Sequence, residues 1–289
     1  MSMTYSAPKP VRPTFRASVA KLHLNTSSTI AIAVLIGMLL FAFLLPLALG
    51  TPNAMGDLSF GPPSLAHPMG TDDLGRDVFT RFAYGARSSL SVGILAALTA
   101  SIIGISIGAI AGYSRGIVDI ALMRVSELFQ VIPRFFLALL VIAIFGSNIM
   151  FIILTIGLLG WPEVARITRG EFLSLREREY VMAAQTIGQS KRKIIFSEIL
   201  PNAMPPLIVA MTMQVSSAIL LEAGLSFLGL GDPSNPSWGL MLNEAQQFLT
   251  RAWWMAVFPG LGIVITVAAL NVFGDHLTDV LNPRLKGAH

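Results

Sequence analysis

The residues of this chain that could do chemistry are of two kinds: motif matches without the partners they need, and polar residues set in apolar sequence. Gly104-Ile105-Ser106-Ile107-Gly108 spells the Gly-x-Ser-x-Gly pattern that exposes a serine nucleophile on a sharp strand-to-helix turn. Ser106 falls instead in mid-helix within a long apolar segment, and none of His23, His67, His276 and His289 is expected at its depth as a base. The match is read as coincidence. His67, Asp72, Asp73 and Asp77 offer donors for a divalent cation. Their glycine and proline neighbours favour a turn whose carboxylates cap the following helix. A Gly-x-x-x-x-Gly-Lys-Ser/Thr phosphate loop and a His-Glu-x-x-His zinc pair are both missing, so no catalytic or metal-ligating residue is expected. With no cysteine in the sequence, disulfides and thiolate metal sites are excluded.

Polar residues within the apolar stretches carry more information. Arg124, Glu127, Val131 and Arg134 advance by three, four and three positions, one stripe of a helix that should face protein or water rather than acyl chains. Arg134 is the deepest of these and the candidate for a solute pathway. Arg124 and Glu127 have an alternative reading as an ion pair at the start of the helix. Gln214, Ser217 and Glu222 form a second polar line, of which Gln214 and Glu222 are further pathway candidates. Hydrogen bonds between helices would explain that line equally well.

Between two apolar segments lies a polar island, Glu179 to Asn202 (EYVMAAQTIGQSKRKIIFSEILPN). Its small pair Ala183 and Ala184 permits close approach of a partner, and Gly188 can end a short helix in a left-handed conformation. Lys191, Arg192 and Lys193 begin a second helix, which Pro201 is expected to close.

The elements that must position these residues are membrane spans. The chain has 289 residues, 54% hydrophobic and 12% charged, with a mean hydropathy of +0.69, where a soluble domain carries about 25% charged residues. Windows long enough to cross a bilayer, about 20 residues each, fall at roughly 29–49, 88–112, 118–145, 147–166, 203–230 and 253–275. Lys9, Arg12, Arg16 and Lys21 precede the first window without an acidic residue among them, which places the N-terminus in the cytoplasm. The first window begins too late and is too long for a cleaved signal peptide, so it is read as a retained helix. Arg115, Arg166, Arg169, Arg176, Arg178, the Lys191–Lys193 run, Arg284 and Lys286 fall on the same side. Asp57, Asp72, Asp73 and Asp77 fall on the other. Trp161, Trp238, Trp253 and Trp254 are expected near span ends or in the outer loop and none at a midplane, as suits the water–lipid interface. In the second window Gly104, Gly108 and Gly112 recur every four residues, a face for close helix packing in lipid. The one dense basic cluster is the short run in the polar island, which gives no footprint for nucleic acid.

The polar island resembles the coupling loop of ATP-binding-cassette (ABC) importer permeases, whose pattern is Glu-Ala-Ala-x3-Gly-x9-Ile-x-Leu-Pro. Ala183, Ala184, Gly188, Leu200 and Pro201 fit it; Met182 replaces the acidic residue, and Glu198 stands where Ile is expected, beside Ile199. Further strings match in order: His67 to Asp77 with Gly85 to Leu90, Leu225 to Gly231, Pro236 to Gly239, and Gly274 to Arg284. Asn282 stands where aspartate is usual. Together they resemble the C-type permease subunit of the dipeptide/oligopeptide/nickel importer family, over about residues 20 to 286.

The resemblance implies an all-α membrane protein of six transmembrane helices, the type I ABC importer permease fold with cytoplasmic coupling helices. It implies cytoplasmic tails at 1–28 and 280–289, a first helix and extracytoplasmic segment at 29–86, and a permease core at 87–279 with the coupling loop at about 167–201. Both termini would be cytoplasmic in a bacterial inner membrane. The implied partners are membrane lipid, a homologous B-type permease, an extracytoplasmic solute-binding protein and two nucleotide-binding ATPase subunits, which would carry the ATP and magnesium. Glu179 and Tyr180 would edge the ATPase contact, Ala183 and Ala184 enter its groove, Gly188 set the bend, and Leu200 and Pro201 end the motif. The implied cargo is a di- or oligopeptide, with nickel chelates, glutathione or another small solute as alternatives. A gradient-driven secondary transporter is the rival class, but no repeat relates 29–145 to 147–275, and the acidic residues are expected at span ends.

Overall fold

The computed structural model of the protein describes residues 25–281. Most of the two expected tails, with Lys9, Arg12, Arg16, Lys21, Asn282, Arg284 and Lys286, lies outside the described residues. Within them every regular element is helical: α1 (Thr26–Leu44), α2 (Val78–Ser114), α3 (Gly116–Val131), α4 (Arg134–Phe145), α5 (Ile149–Arg176), α6 (Glu179–Thr186), α7 (Lys191–Leu230), α8 (Trp238–Ala245) and α9 (Trp254–Leu281). Helices α1, α2, α5, α7 and α9 are long and apolar enough to span a membrane, and α3 with α4 form a sixth span bent by 78°.

The span expected over 118–145 carries Pro133, which can kink a helix, and the structure turns that kink into a break between two helices. Proline drives the preceding residue out of the α region, and Ile132 accordingly sits at φ −91°, ψ 130°. The stripe from Arg124 to Arg134 is thereby divided between two helices. Arg124 and Glu127 remain as an exposed ion pair at 2.8 Å. The bent pair still traverses the bundle. Near its start Asp119 meets Arg169 at 2.5 Å, while beyond its end the Ile149 amide donates to Asp232 at 3.1 Å. Ile149 and Arg169 lie on one helix, about 30 Å apart at 1.5 Å per residue, so the chain climbs that height between them.

Helices α2 and α5 run parallel in the closest pairing of the fold. A Cβ on Gly104 would lie 2.6 Å from Val164 Cβ, one on Gly112 would lie 2.6 Å from Phe172 Cβ, and one on Gly108 would strike the Ala165 carbonyl. The four-residue glycine row is thus a packing face. Ser106 points away from it, exposed, and its hydroxyl donates back to the Ile102 carbonyl at 2.7 Å.

At the opposite end from α6, the loop before α2 folds on itself. Asp77 caps α2 through the Thr80 amide at 2.8 Å and meets His67 Nδ1 at 3.0 Å. Asp72 is buried and accepts from Arg76 Nε at 2.6 Å and Arg81 Nη1 at 3.0 Å. Arg81 reaches on to Glu244 of α8 at 3.0 Å, so one network fastens loop, α2 and α8.

Trp238, Trp253 and Trp254 lie between spans or at a span start, and Trp161 alone departs from the expectation. Trp161 lies deep within α5, buried against Gly104 and edge-on to Phe129, because α5 continues ten residues past the expected end at 166. Trp238 is fully buried, stacked on Phe82, and Trp254 donates to the Thr71 carbonyl at 3.1 Å. Among the four, Trp253 alone is exposed.

Candidate functional site

The polar island folds into a helical handle. Arg178 precedes α6, and the helix ends at Gly188, whose φ of +77° is the left-handed conformation expected there. Two backbone bonds complete the cap: Gly188 N–H donates to the Gln185 carbonyl at 3.0 Å, and Gln189 N–H donates to the Ala184 carbonyl at 3.1 Å. Ser190 then caps α7 through the Lys193 amide.

Pro201 does not close this second helix. Residues Ile194–Ile199 are wound as a π-helix, and the chain continues without interruption into the membrane span ending at Leu230. A proline lacks the N–H of the regular ladder and crowds the carbonyl four residues back; the wider turn immediately before Pro201 relieves both demands. Asn202 Nδ2 takes up the Glu198 carbonyl at 2.6 Å.

The alanine pair is divided by the fold. Ala184 is buried with Val181, Phe172 of α5, and Ile194, Ile199 and Leu207 of α7, so its methyl anchors the handle to its own chain. This corrects the expectation that both alanines enter a partner's groove. Ala183 is exposed, with Glu179, Tyr180, Met182 and Ile187 beside it and Phe196 on α7. Leu200 is half-buried, and Pro201 is exposed. Burial pushes the Tyr180 phenol up. At the root of α6, Glu177 receives Arg115 Nη2 at 2.5 Å, and this hydrogen bond holds its carboxyl below the ordinary range. Arg176 Nη1 donates to the Tyr113 carbonyl, and its guanidinium lies 5.2 Å from the Tyr113 ring centre. The handle is therefore tied to α2, α5 and α7 at once.

Of the polar candidates inside the spans, Arg134 and Gln214 converge and Glu222 stands apart. Arg134 Nη2 donates to the Ile156 carbonyl at 3.1 Å. With the Gln214 amide oriented to suit both neighbours, its oxygen accepts from Arg134 Nη2 at 3.1 Å and its nitrogen donates to Glu163 Oε2 at 3.2 Å. Gly160 makes the room, since a Cβ there would collide with Gln214 and lie 2.8 Å from Arg134 Nη2. Glu163, Gln214 and Ser217 border an open cleft of about 260 Å³ between α5 and α7. Glu163 was not among the sequence candidates, because a span ending at 166 put it at the interface; the longer α5 puts it halfway along. Glu222 is buried elsewhere, accepting from Ser226 at 2.6 Å and Ser89 at 3.1 Å, and Ser89 Oγ in turn accepts from the Trp238 amide at 3.3 Å. It joins α2, α7 and the start of α8.

The bundle thus packs on a glycine row and carries a capped handle at one end. Residues 104–287 match the family described as the binding-protein-dependent transport system inner membrane component. The chain belongs to that family. This permease is 38% identical to the dipeptide transport system permease protein DppC of Alkalihalophilus pseudofirmus, over 98% of this chain and 92% of that one. It is 41% identical to the oligopeptide transport system permease protein OppC of Bacillus subtilis, over 78% of this chain and 74% of that one. In fold it is similar to a chain of the MetNI methionine ABC transporter, with a TM-score of 0.58 and 18% identity, covering 70% of this permease and 96% of that chain. It is a multi-pass inner-membrane subunit of an ABC importer that contributes to the transport pathway, with the type I importer fold.

Proposed function

We propose that this permease pairs with a homologous second permease to form the passage of an ATP-driven importer of di- and oligopeptides. A solute-binding protein delivers cargo at the Asp72 end, and two ATPase subunits supply energy at the α6 end. Under this reading α6 faces the cytoplasm, both termini are cytoplasmic, and ATP and magnesium are bound by the ATPase subunits. The charge distribution supports the orientation: Arg115, Arg169, Arg176, Arg178 and Lys191–Lys193 gather around α6, and Asp57, Asp72, Asp73 and Asp232 at the far end. The names of the dipeptide and oligopeptide relatives support the cargo.

The observation that carries the reading is the two-faced handle. Its inner face is fixed among α2, α5 and α7, while its outer face offers Tyr180, Ala183, Ile187 and Phe196, which no element among the described residues covers. A partner gripping that face moves the three spans beneath it.

The test is Ala183→Trp in the assembled importer, with ATPase co-purification and peptide-stimulated hydrolysis as readouts. The side chain points outward, so the variant should insert and keep its second permease while losing the ATPase or its stimulation. Unchanged co-purification, hydrolysis and uptake would remove α6 from the coupling path.

A further inference from the structure

We propose that Glu163 binds the protonated amine of the solute in transit, making the passage selective for a cationic group at mid-membrane. The inference deepens the peptide reading above and rests on it. Glu163 lies about 21 Å from the start of α5 at 1.5 Å per residue, midway along a span that runs Ile149–Arg176. A carboxylate at that depth is costly without a counter-charge or a watery cavity. Its cavity is the α5–α7 cleft, otherwise walled largely by apolar side chains such as Val164, Ile167, Val209 and Met213.

Only part of its bonding capacity is met within the chain. Gln214 donates to Oε2 at 3.2 Å, and among the described residues no other hydrogen bond reaches Glu163. Arg134 is the nearby cation and attracts Glu163 through space, but its Nη2 hydrogen bonds go to the Ile156 carbonyl and the Gln214 oxygen and not to the carboxylate. This engagement fixes the Gln214 amide with its N–H toward Glu163, so Arg134 is a positioning residue. A carboxylate accepts several hydrogen bonds and an ammonium donates three. Between apolar walls their attraction is far less screened than in water. Every peptide with a free amino terminus carries such an ammonium.

The test uses proteoliposomes holding the complete importer, with peptide-loaded binding protein outside and ATP inside. Glu163→Gln keeps the shape and removes the charge. Peptide uptake should fall about ten- to a hundredfold, as expected for losing a hydrogen bond between charged groups, while hydrolysis stimulated by the binding protein persists. Glu163→Asp should retain most uptake. Unchanged uptake in Glu163→Gln overturns the proposal. So does a matched loss of uptake and stimulated hydrolysis, an Asp variant as poor as Gln, or loss of the second permease on purification, which would assign Glu163 to the permease interface. A wild-type assembly that hydrolyses ATP but moves no peptide overturns the peptide reading itself, and this inference with it.

Discussion

Glu222 and Glu163 lie within the membrane spans of one protein, and their surroundings assign them different work. Glu222 is 2% exposed and accepts hydrogen bonds from Ser89 and Ser226. Through Ser89 it also reaches the Trp238 amide that starts α8. It is a staple between elements. Glu222→Gln keeps an acceptor and supplies a donor that a rotated serine hydroxyl can meet, so thermal unfolding in detergent should change little. Glu222→Ala leaves buried hydroxyls unpaired and should cost about 1–3 kcal/mol. Equal destabilisation by Gln and Ala would mean that the charge, not the hydrogen bonding, holds this junction. Glu163, by contrast, faces a cleft, with the Gln214 amide as its hydrogen-bond partner and Arg134 as a nearby counter-charge, which leaves carboxylate acceptor capacity open to the cleft.

At the scale of elements, α2 shows two faces four residues wide with opposite tolerances. Gly108 meets the Ala165 carbonyl and Thr168 of α5 with no space for a side chain, whereas Ser106 is exposed. Gly108→Leu should therefore force α2 from α5 and destabilise by about 1–3 kcal/mol or more, read as a lower melting temperature and loss of assembly. Ser106→Leu on the same helix should insert, assemble and transport as the wild type does. If both variants behave alike, the glycine row is not the packing face. That row was legible in the sequence because a four-residue repeat is a local pattern, and so was Gly188, whose position at a helix end requires a left-handed residue. Three features were not legible, each because it depends on what surrounds the residue. Pro133 signals a break but not an angle of 78°. Pro201 reads as a stop, yet a preceding π-turn accommodates it. Ala183 and Ala184 are chemically identical in sequence, and only the cluster of Phe172, Val181 and Ile194 decides which one is buried. The convergence of Arg134, Gln214 and Glu163 joins three separate helices, so no window of sequence contains it.

At the scale of the whole molecule, the number of crossings decides which ends share a side, and the bent α3–α4 pair is the crossing on which the count turns. If it crosses, six traverses return Leu281 to the side of Thr26. If it were a loop dipping in and out on one side, everything from Ile149 onward would be inverted relative to α2. The parallel packing of α2 and α5 opposes inversion, since Gly104, Gly108 and Gly112 meet Val164, Thr168 and Phe172 in the same order. Two helices that run side by side in one direction need an odd number of crossings between them. The chain contains no cysteine, so single cysteines can report each side without background. Ala66→Cys in the loop before α2 and Ser147→Cys between α4 and α5 should both react with a membrane-impermeant maleimide added to intact cells. Lys191→Cys at the start of α7 should react only after the membrane is opened, because it lies on the handle side with the basic residues. Labelling of Lys191→Cys together with Ala66→Cys, and apart from Ser147→Cys, would make α3–α4 a re-entrant loop and separate the two termini across the membrane. Labelling of Lys191→Cys from outside while both Ala66→Cys and Ser147→Cys are protected would reverse the orientation and move the handle away from any cytoplasmic ATPase.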